Sequence, residues 1–107
     1  VDGRAVNSCL FMAVSAEGSA VLTIEGLKGA DGGPHILQRV FADEGGVQCG
    51  FCTPGMIMAS YALLTGNGNP TRAEIVEALS GNLCRCTGYE KIFTSVEKAA
   101  RLMRGSK

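Results

Sequence analysis

A mainly α-helical domain, four helices in a bundle entered through two short strands, is the fold this sequence predicts. Three observations carry it. Apolar residues recur at helical spacing in four windows from Pro34 onward. Helix-start signals stand before two of them, Thr53-Pro54 and Thr71-x-x-Glu74. The chain also repeats itself weakly: helix, close cysteine pair, Thr, helix occurs around Cys49/Cys52 and again around Cys84/Cys86. Such a repeat predicts a pseudo-twofold bundle, with both cysteine loops at one end and two helix N-termini aimed at a shared centre.

In chain order, residues 10–14 and 20–24 are short apolar, β-branched runs separated by Glu17-Gly18-Ser19, which reads as a hairpin or two edge strands. Two strands alone are marginal and need a neighbour to cover them. The glycines of residues 26–34 mark a connecting loop. A first helix over 35–43 puts Ile36, Leu37, Val40 and Phe41 on one face. Thr53 is the expected N-cap of the second helix, with Pro54 at its first position. Residues 56–64 are apolar almost all round, so this helix is central, with Met56, Met58 and Tyr61 in the core. Gly66-Asn67-Gly68-Asn69-Pro70 ends it. Thr71 and Glu74 form a capping box for the third helix, whose expected buried stripe is Ile75, Val76 and Leu79. The fourth runs from about Tyr89 with Ile92, Phe93, Val96, Ala99, Ala100 and Met103 inward.

Composition narrows the function. The chain has 107 residues, 46% of them hydrophobic, which suits one globular domain or part of one. Ten basic residues balance ten acidic ones, which argues against nucleic acid or a membrane surface as partner. No apolar run is long enough for a membrane span. The opening Val1-Asp2-Gly3-Arg4 lacks the regions of a secretory signal, and the missing initiator Met suggests a piece of a longer polypeptide or a trimmed start. An odd count of five cysteines and a tight C-x-C pair favour metal or redox use in a reducing compartment over a disulfide scaffold.

The cysteines Cys49 and Cys52 (C-G-F-C) and Cys84 and Cys86 (C-R-C) each precede a helix, where the dipole and free N–H groups favour thiolates. Three readings compete with a cluster. A structural zinc site needs four ligands in a tetrahedron, usually from two C-x₂-C halves. A redox dithiol at Cys49/Cys52 needs a thioredoxin-like context that is absent. Buried, unliganded cysteine is the default for Cys9. A [2Fe–2S] centre matches ligands that arrive as two pairs, with two thiolates for each iron. The N–H groups of Gly50, Phe51 and Arg85 are expected near the sulfurs, and Gly50 and Gly88 are expected to let backbone approach them. Phe51 reads equally as a shield against water or an ordinary core residue, and Arg85 as a solvated loop arginine.

The stretch V-Q-C-G-F-C-T-P-G-M at residues 47–56 and G-N-L-C-R-C-T-G-Y at residues 81–89 resemble the small iron–sulfur subunit of the xanthine oxidase family. That family comprises molybdenum-containing hydroxylases and aerobic carbon monoxide dehydrogenases. The resemblance runs over essentially the whole chain. V-D-G-R-A-V-N-S-C at residues 1–9 and T-I-E-G-L at residues 23–27 look like the end of the family's ferredoxin-like β-grasp domain. It implies a division into residues 1–26, a remnant of that domain, and residues 27–107, the helical cluster-binding domain.

By resemblance, Cys49, Cys52, Cys84 and Cys86 match the ligands of the [2Fe–2S] cluster nearest the molybdenum cofactor. Gln48 matches the glutamine that hydrogen-bonds the pterin; without the family it is a surface loop residue. Cys86 matches the ligand nearest the pterin's amino group. Cys9 matches the last ligand of a second, plant-type cluster whose other ligands lie upstream, so residues 1–26 should be the least secure part here. The implied function is electron transfer from a molybdopterin site in a large partner subunit towards FAD in a medium subunit or another acceptor. No substrate chemistry resides in this chain. The alternative is a zinc-stabilised structural or interaction domain without a redox role. The implied location is the cytoplasm, or the periplasm as part of an exported complex.

Elsewhere His35 reads as a helix-start or packing residue rather than a ligand. Lys98, Arg101, Arg104 and Lys107 read as a solvated basic end that complements a helix dipole. No phosphate loop, Ser-His-Asp set or paired carboxylates are present.

Overall fold

In the computed structural model, which describes residues 1–105, four α-helices follow an irregular N-terminal segment. Helix α1 spans Ile36–Asp43, α2 Thr53–Gly66, α3 Arg72–Leu79 and α4 Glu90–Gly105. α1 lies chiefly against α4 and α2 chiefly against α3, while contacts of α1 with α2 and of α3 with α4 close the bundle. Lys107 of the expected basic end falls outside the described residues.

Each helix starts for a local reason. His35 caps α1: its Nδ1 accepts the Leu37 N–H at 3.1 Å, and its own N–H donates to Gln38 Oε1 at 2.7 Å. Its ring also meets Tyr61 edge-on, with centroids 5.4 Å apart, so helix start and packing are both its role. Thr71 caps α3 as expected, accepting the Glu74 N–H at 3.2 Å while Glu74 Oε1 accepts from the Thr71 N–H at 2.7 Å.

The start of α2 differs from expectation. Cys52 already has helical angles and its carbonyl accepts the Met56 N–H at 3.0 Å, so the helical turn begins one residue early. Thr53 therefore lies inside the helix, its hydroxyl buried without a partner. At α4, Tyr89 has φ 72° and stays outside the helix, and its carbonyl accepts the Phe93 N–H at 3.0 Å.

The core is one cluster built from Leu37, Val40 and Phe41 of α1, Met56, Ile57 and Leu64 of α2, Ile75 and Leu79 of α3, and Ile92, Val96, Ala99 and Ala100 of α4. Full burial of each larger side chain contributes about 1.5–3 kcal/mol. Ile36, Met58, Tyr61, Phe93 and Met103 are half-buried at its margin. Val76, expected inside, is 42% exposed. On this short helix the pair at positions 75 and 79 fills the inward line, and the next residue is turned about 100° away. Arg72 pins α3 to α4 instead: its guanidinium bonds Glu97 at 2.8 Å and Glu90, and lies 5.5 Å from the Phe93 ring centroid.

The two expected strands do not form among the described residues. Residues 1–26 fold into 3₁₀ turns at Ser8–Leu10, Ala13–Ala16 and Ile24–Gly26. Most of their bonds are local, such as Leu10 N–H to Asn7 O at 2.9 Å and Ser15 N–H to Met12 O at 2.9 Å, while the Asp2 N–H donates to Ala20 O at 2.8 Å and the Ala20 N–H to Asp2 Oδ1 at 2.9 Å. A strand satisfies its backbone only through a neighbour's ladder; without one, local turns are the remaining way to pair these groups. Leu10, Met12 and Val14 are left exposed, and Leu27 is the first residue to enter the core. No helix among the described residues is long and apolar enough to cross a membrane.

Candidate metal centre

Two loops, residues 44–52 between α1 and α2 and residues 80–89 between α3 and α4, carry the expected ligands. The first is anchored by Gly46, buried between α1 and α4, whose N–H donates to Phe41 O at 2.9 Å. A Cβ there would stand 2.9 Å from Ser95 Oγ and 3.2 Å from the Phe41 ring, so only glycine lets the loop leave so close to α4. Lys98 of α4 bonds Glu44 at 2.6 Å beside it.

A second close approach joins the loops. A Cβ on Gly55, in the first turn of α2, would stand 2.7 Å from Asn82 Oδ1. The missing side chain leaves room for Asn82 of the second cysteine loop against the start of α2.

The four sulfurs meet in couples across the loops. The Cys52 side chain interacts electrostatically with Cys84, and Cys86 with Cys49; none is in a disulfide. Cys52 and Cys84 are half-buried, whereas Cys49 and Cys86 are exposed. Burial pushes the Cys52 thiol up to about 11, helped by the Cys84 sulfur beside it. Cys84 is held down at about 7, first by the Thr87 hydroxyl and then by the Thr87 N–H. The neighbouring Cys49 side chain raises Cys86.

The second loop is tied by a ring of hydrogen bonds. The Cys84 N–H donates to Tyr89 Oη at 2.9 Å, the Tyr89 N–H donates to Thr87 Oγ1 at 3.1 Å, and Thr87 Oγ1 lies 3.1 Å from Cys84 Sγ. The Thr87 N–H donates to the same sulfur at 3.4 Å. The N–H groups at the cysteine sulfurs are those of Thr87 and Cys86 at Cys84, of Cys49 at Cys86, and of Cys52 at its own sulfur. Gly50 and Gly88 have φ of 88° and 70°, with nothing within 4 Å of an added Cβ. That left-handed backbone conformation favours glycine.

The structure therefore brings together Cys49, Cys52, Cys84 and Cys86, with Gln48 exposed beside Cys49. Cys9 sits exposed in a 3₁₀ turn, and no hydrogen bond among the described residues joins it to them. Phe51 is 94% exposed, so it is neither a core residue nor, in this chain alone, a shield. It directly follows Gly50, whose φ is 88°. Sequence reasoning missed Gly46, Gly55, Asn82 and Tyr89 as site-builders, and saw Thr87 only as part of a repeat.

No three His, Cys, Asp or Glu side chains among the described residues stand close enough to grip one metal ion. Sulfurs that meet two by two suit a donor set shared between two irons, and two helix starts with inward N–H groups suit its negative charge.

Known proteins carry the same pattern. The family described as "[2Fe-2S] binding domain" matches residues 23–97. The nicotinate dehydrogenase small FeS subunit of Eubacterium barkeri is 50% identical over 98 residues, 92% of this chain and 62% of that protein. The xanthine dehydrogenase iron-sulfur-binding subunit of Escherichia coli O157:H7 is 50% identical over 98 residues, 90% of this chain and 61% of that protein. Among solved structures, quinoline 2-oxidoreductase from Pseudomonas putida 86 superposes with a TM-score of 0.86 at 42% identity, covering 97% of this chain and 65% of that chain. Aldehyde oxidoreductase from Desulfovibrio gigas gives 0.84 at 35% identity, covering 99% of this chain and 12% of that chain. The chain spans 62% and 61% of the two curated small subunits just described. With the family match running from residue 23 through both cysteine loops and into α4, the chain belongs to the [2Fe-2S] binding domain family, as a relative of the iron–sulfur small subunits of nicotinate and xanthine dehydrogenases.

Proposed function

We propose that this chain is the electron-transfer module of a molybdenum-dependent hydroxylase or dehydrogenase, with Cys49, Cys52, Cys84 and Cys86 as the ligands of its [2Fe–2S] centre. The observation that carries the reading is the meeting of Cys52 with Cys84 and of Cys49 with Cys86 at one end of the bundle. Storage of a single electron is the chemistry such a centre supplies when bound. The chain's part is to hold four thiolates, to turn N–H groups and helix starts towards them, and to keep water from the Cys52/Cys84 side.

A pseudo-twofold relation between the halves explains why both loops share an end. α1 and α3 are each eight residues long and each opens on a capping box, while α2 and α4 are 14 and 16 residues long. The packing of α1 on α4 and of α2 on α3 is what exchange of the halves requires. Residues 27–107 form the cluster domain, and residues 1–26 are the end of a ferredoxin-like domain. The relatives' greater length leaves room for the rest of that domain, with Cys9 contributing to its second cluster.

The exposed side of the site is the docking side. Cys49, Cys86 and Gln48 face outward, rimmed by Phe51 at 94% and Leu83 at 83% exposure. An apolar rim around polar groups is the anatomy of a protein interface. The occupant is a molybdopterin-bearing chain, with Gln48 reaching the pterin and Cys86 the electron entry point; an FAD chain or other acceptor completes the path. A zinc-held interaction domain is disfavoured because the matching family is described as a [2Fe-2S] binding domain.

Metal analysis tests the reading. Purified protein should hold iron and acid-labile sulfide in equal amounts, with visible absorption that bleaches on dithionite, and Cys49→Ser should lose or badly damage the centre. A colourless zinc protein, or a Cys49→Ser variant with unchanged iron content and EPR spectrum, sinks it.

A further inference from the structure

We infer that Thr87 is a positioning residue that sets the reduction potential of the centre through Cys84. The inference rests on the proposed cluster and deepens it by naming a residue outside the ligand set.

The geometry decides the direction of the key bond. Thr87 Oγ1 lies 3.1 Å from Cys84 Sγ, where either atom is able to donate while the sulfur carries its proton. A sulfur that ligates a metal is a thiolate and has no proton to give. The hydroxyl must then be the donor. One of its two lone pairs accepts the Tyr89 N–H at 3.1 Å, and its hydrogen is free to turn to sulfur. Cys84 thus accepts from both the hydroxyl and, at 3.4 Å, the N–H of one residue. Among the described residues, Cys84 is the only cysteine whose sulfur faces a hydroxyl.

Tyr89 holds the arrangement rigid. Its Oη receives the Cys84 N–H at 2.9 Å, and its ring stacks on Phe93 with centroids 6.2 Å apart. It keeps a φ of 72°, a backbone region that is costly for a bulky residue, immediately after Gly88 at 70°. Backbone held against its preference beside a metal site is what a positioning role requires.

The electrostatic sign follows. Reduction places one more electron on the centre and moves no proton; the hydrogen stays on the Thr87 oxygen. A donor to the thiolate stabilises the more negative, reduced state more than the oxidised one, so it raises the potential. Loss of the hydroxyl should lower it. Loss of the methyl alone should not.

The test is EPR-monitored potentiometry, in the presence of mediator dyes, on the complete iron–sulfur subunit with its centre loaded. Thr87→Val and Thr87→Ala should hold iron as the native protein does but sit at a lower potential. The expected change in the reduced-to-oxidised ratio at fixed ambient potential is about threefold to tenfold, tenfold being 59 mV for one electron. Thr87→Ser should titrate with the native protein. If neither Val nor Ala loads iron while Ser does, the hydroxyl's positioning role stands on iron content. A loaded Val or Ala variant at the native potential overturns the inference, as does a Ser variant that behaves like Val. A native protein without iron and sulfide would instead overturn the cluster reading beneath it.

Discussion

Replacing Gly46 with alanine tests how the first cysteine loop is held. The new methyl would stand 2.9 Å from Ser95 Oγ and 3.2 Å from Phe41 Cδ2, and both neighbours are fully buried. Ser95 has little freedom to yield, because its hydroxyl donates to Lys91 O at 2.7 Å. Overpacking of this kind costs about 1–3 kcal/mol. The entropy removed from the unfolded chain by Gly→Ala returns about 0.4–1 kcal/mol. The expected net loss is therefore about 1–2 kcal/mol. For a domain of this size each kcal/mol lowers the thermal midpoint by about 4–8 °C.

Circular dichroism melts of the native protein, Gly46→Ala, Ser95→Ala and the double variant form a cycle. Ser95→Ala removes the nearer obstacle, so Gly46→Ala should cost less in that background, with a coupling of at least about 0.5 kcal/mol. Equal cost in both backgrounds would falsify the steric account. A Gly46→Ala protein as stable as the native one would refute the close approach altogether. Because Gly46 stands three residues before Cys49, the same variant should also bind iron less completely.

Two further expectations concern the helix anchors. His35 caps α1 through Nδ1, and its folded value lies below the ordinary 6.5, first through burial and second through the Arg39 charge. The cap's contribution is therefore full above 6.5 and is lost as pH falls through the lower folded value, because the unfolded chain binds the proton more readily. The loss should approach about 1 kcal/mol, the usual cost of removing an N-cap. His35→Asn, a cap that does not titrate, should flatten the difference in melting point between pH 8 and pH 5; an identical slope in both proteins would count against the cap. Arg72→Met should destabilise by about 1–2 kcal/mol, because it removes two partly exposed ion pairs and a cation–π contact. In urea melts Arg72→Lys should recover less than half of this, since an ammonium cannot fork between Glu90 and Glu97 as the guanidinium does. Full recovery by lysine would mean that charge alone matters there.

The helices and two of their starts, at His35 and Thr71, were legible because they are written locally. The Thr71/Glu74 box, the inward line of Leu37, Val40 and Phe41, and the stripe from Ile92 to Ala100 each lie within a few turns of chain. So were the four clustered cysteines, because their short spacings and the flanking residues of the two motifs resemble a known family. The N-terminal segment was misread for a physical reason. Residues 10–14 and 20–24 have strand-like side chains, but a strand exists only through a partner's ladder; among the described residues no ladder forms, residues 10–14 turn on local bonds, and Ala20 pairs with Asp2.

Only the tertiary structure decided which sulfur meets which, why Gly46 and Gly55 have no side chain, and that Thr87 and Tyr89 close a ring around Cys84. Gly46 meets Ser95 and Gly55 meets Asn82 across many residues of chain, and Phe51, directly after Gly50, is exposed. Periodicity and capping report what a segment does with its own backbone. Contacts between distant segments depend on how the finished helices pack, and no window of sequence contains that.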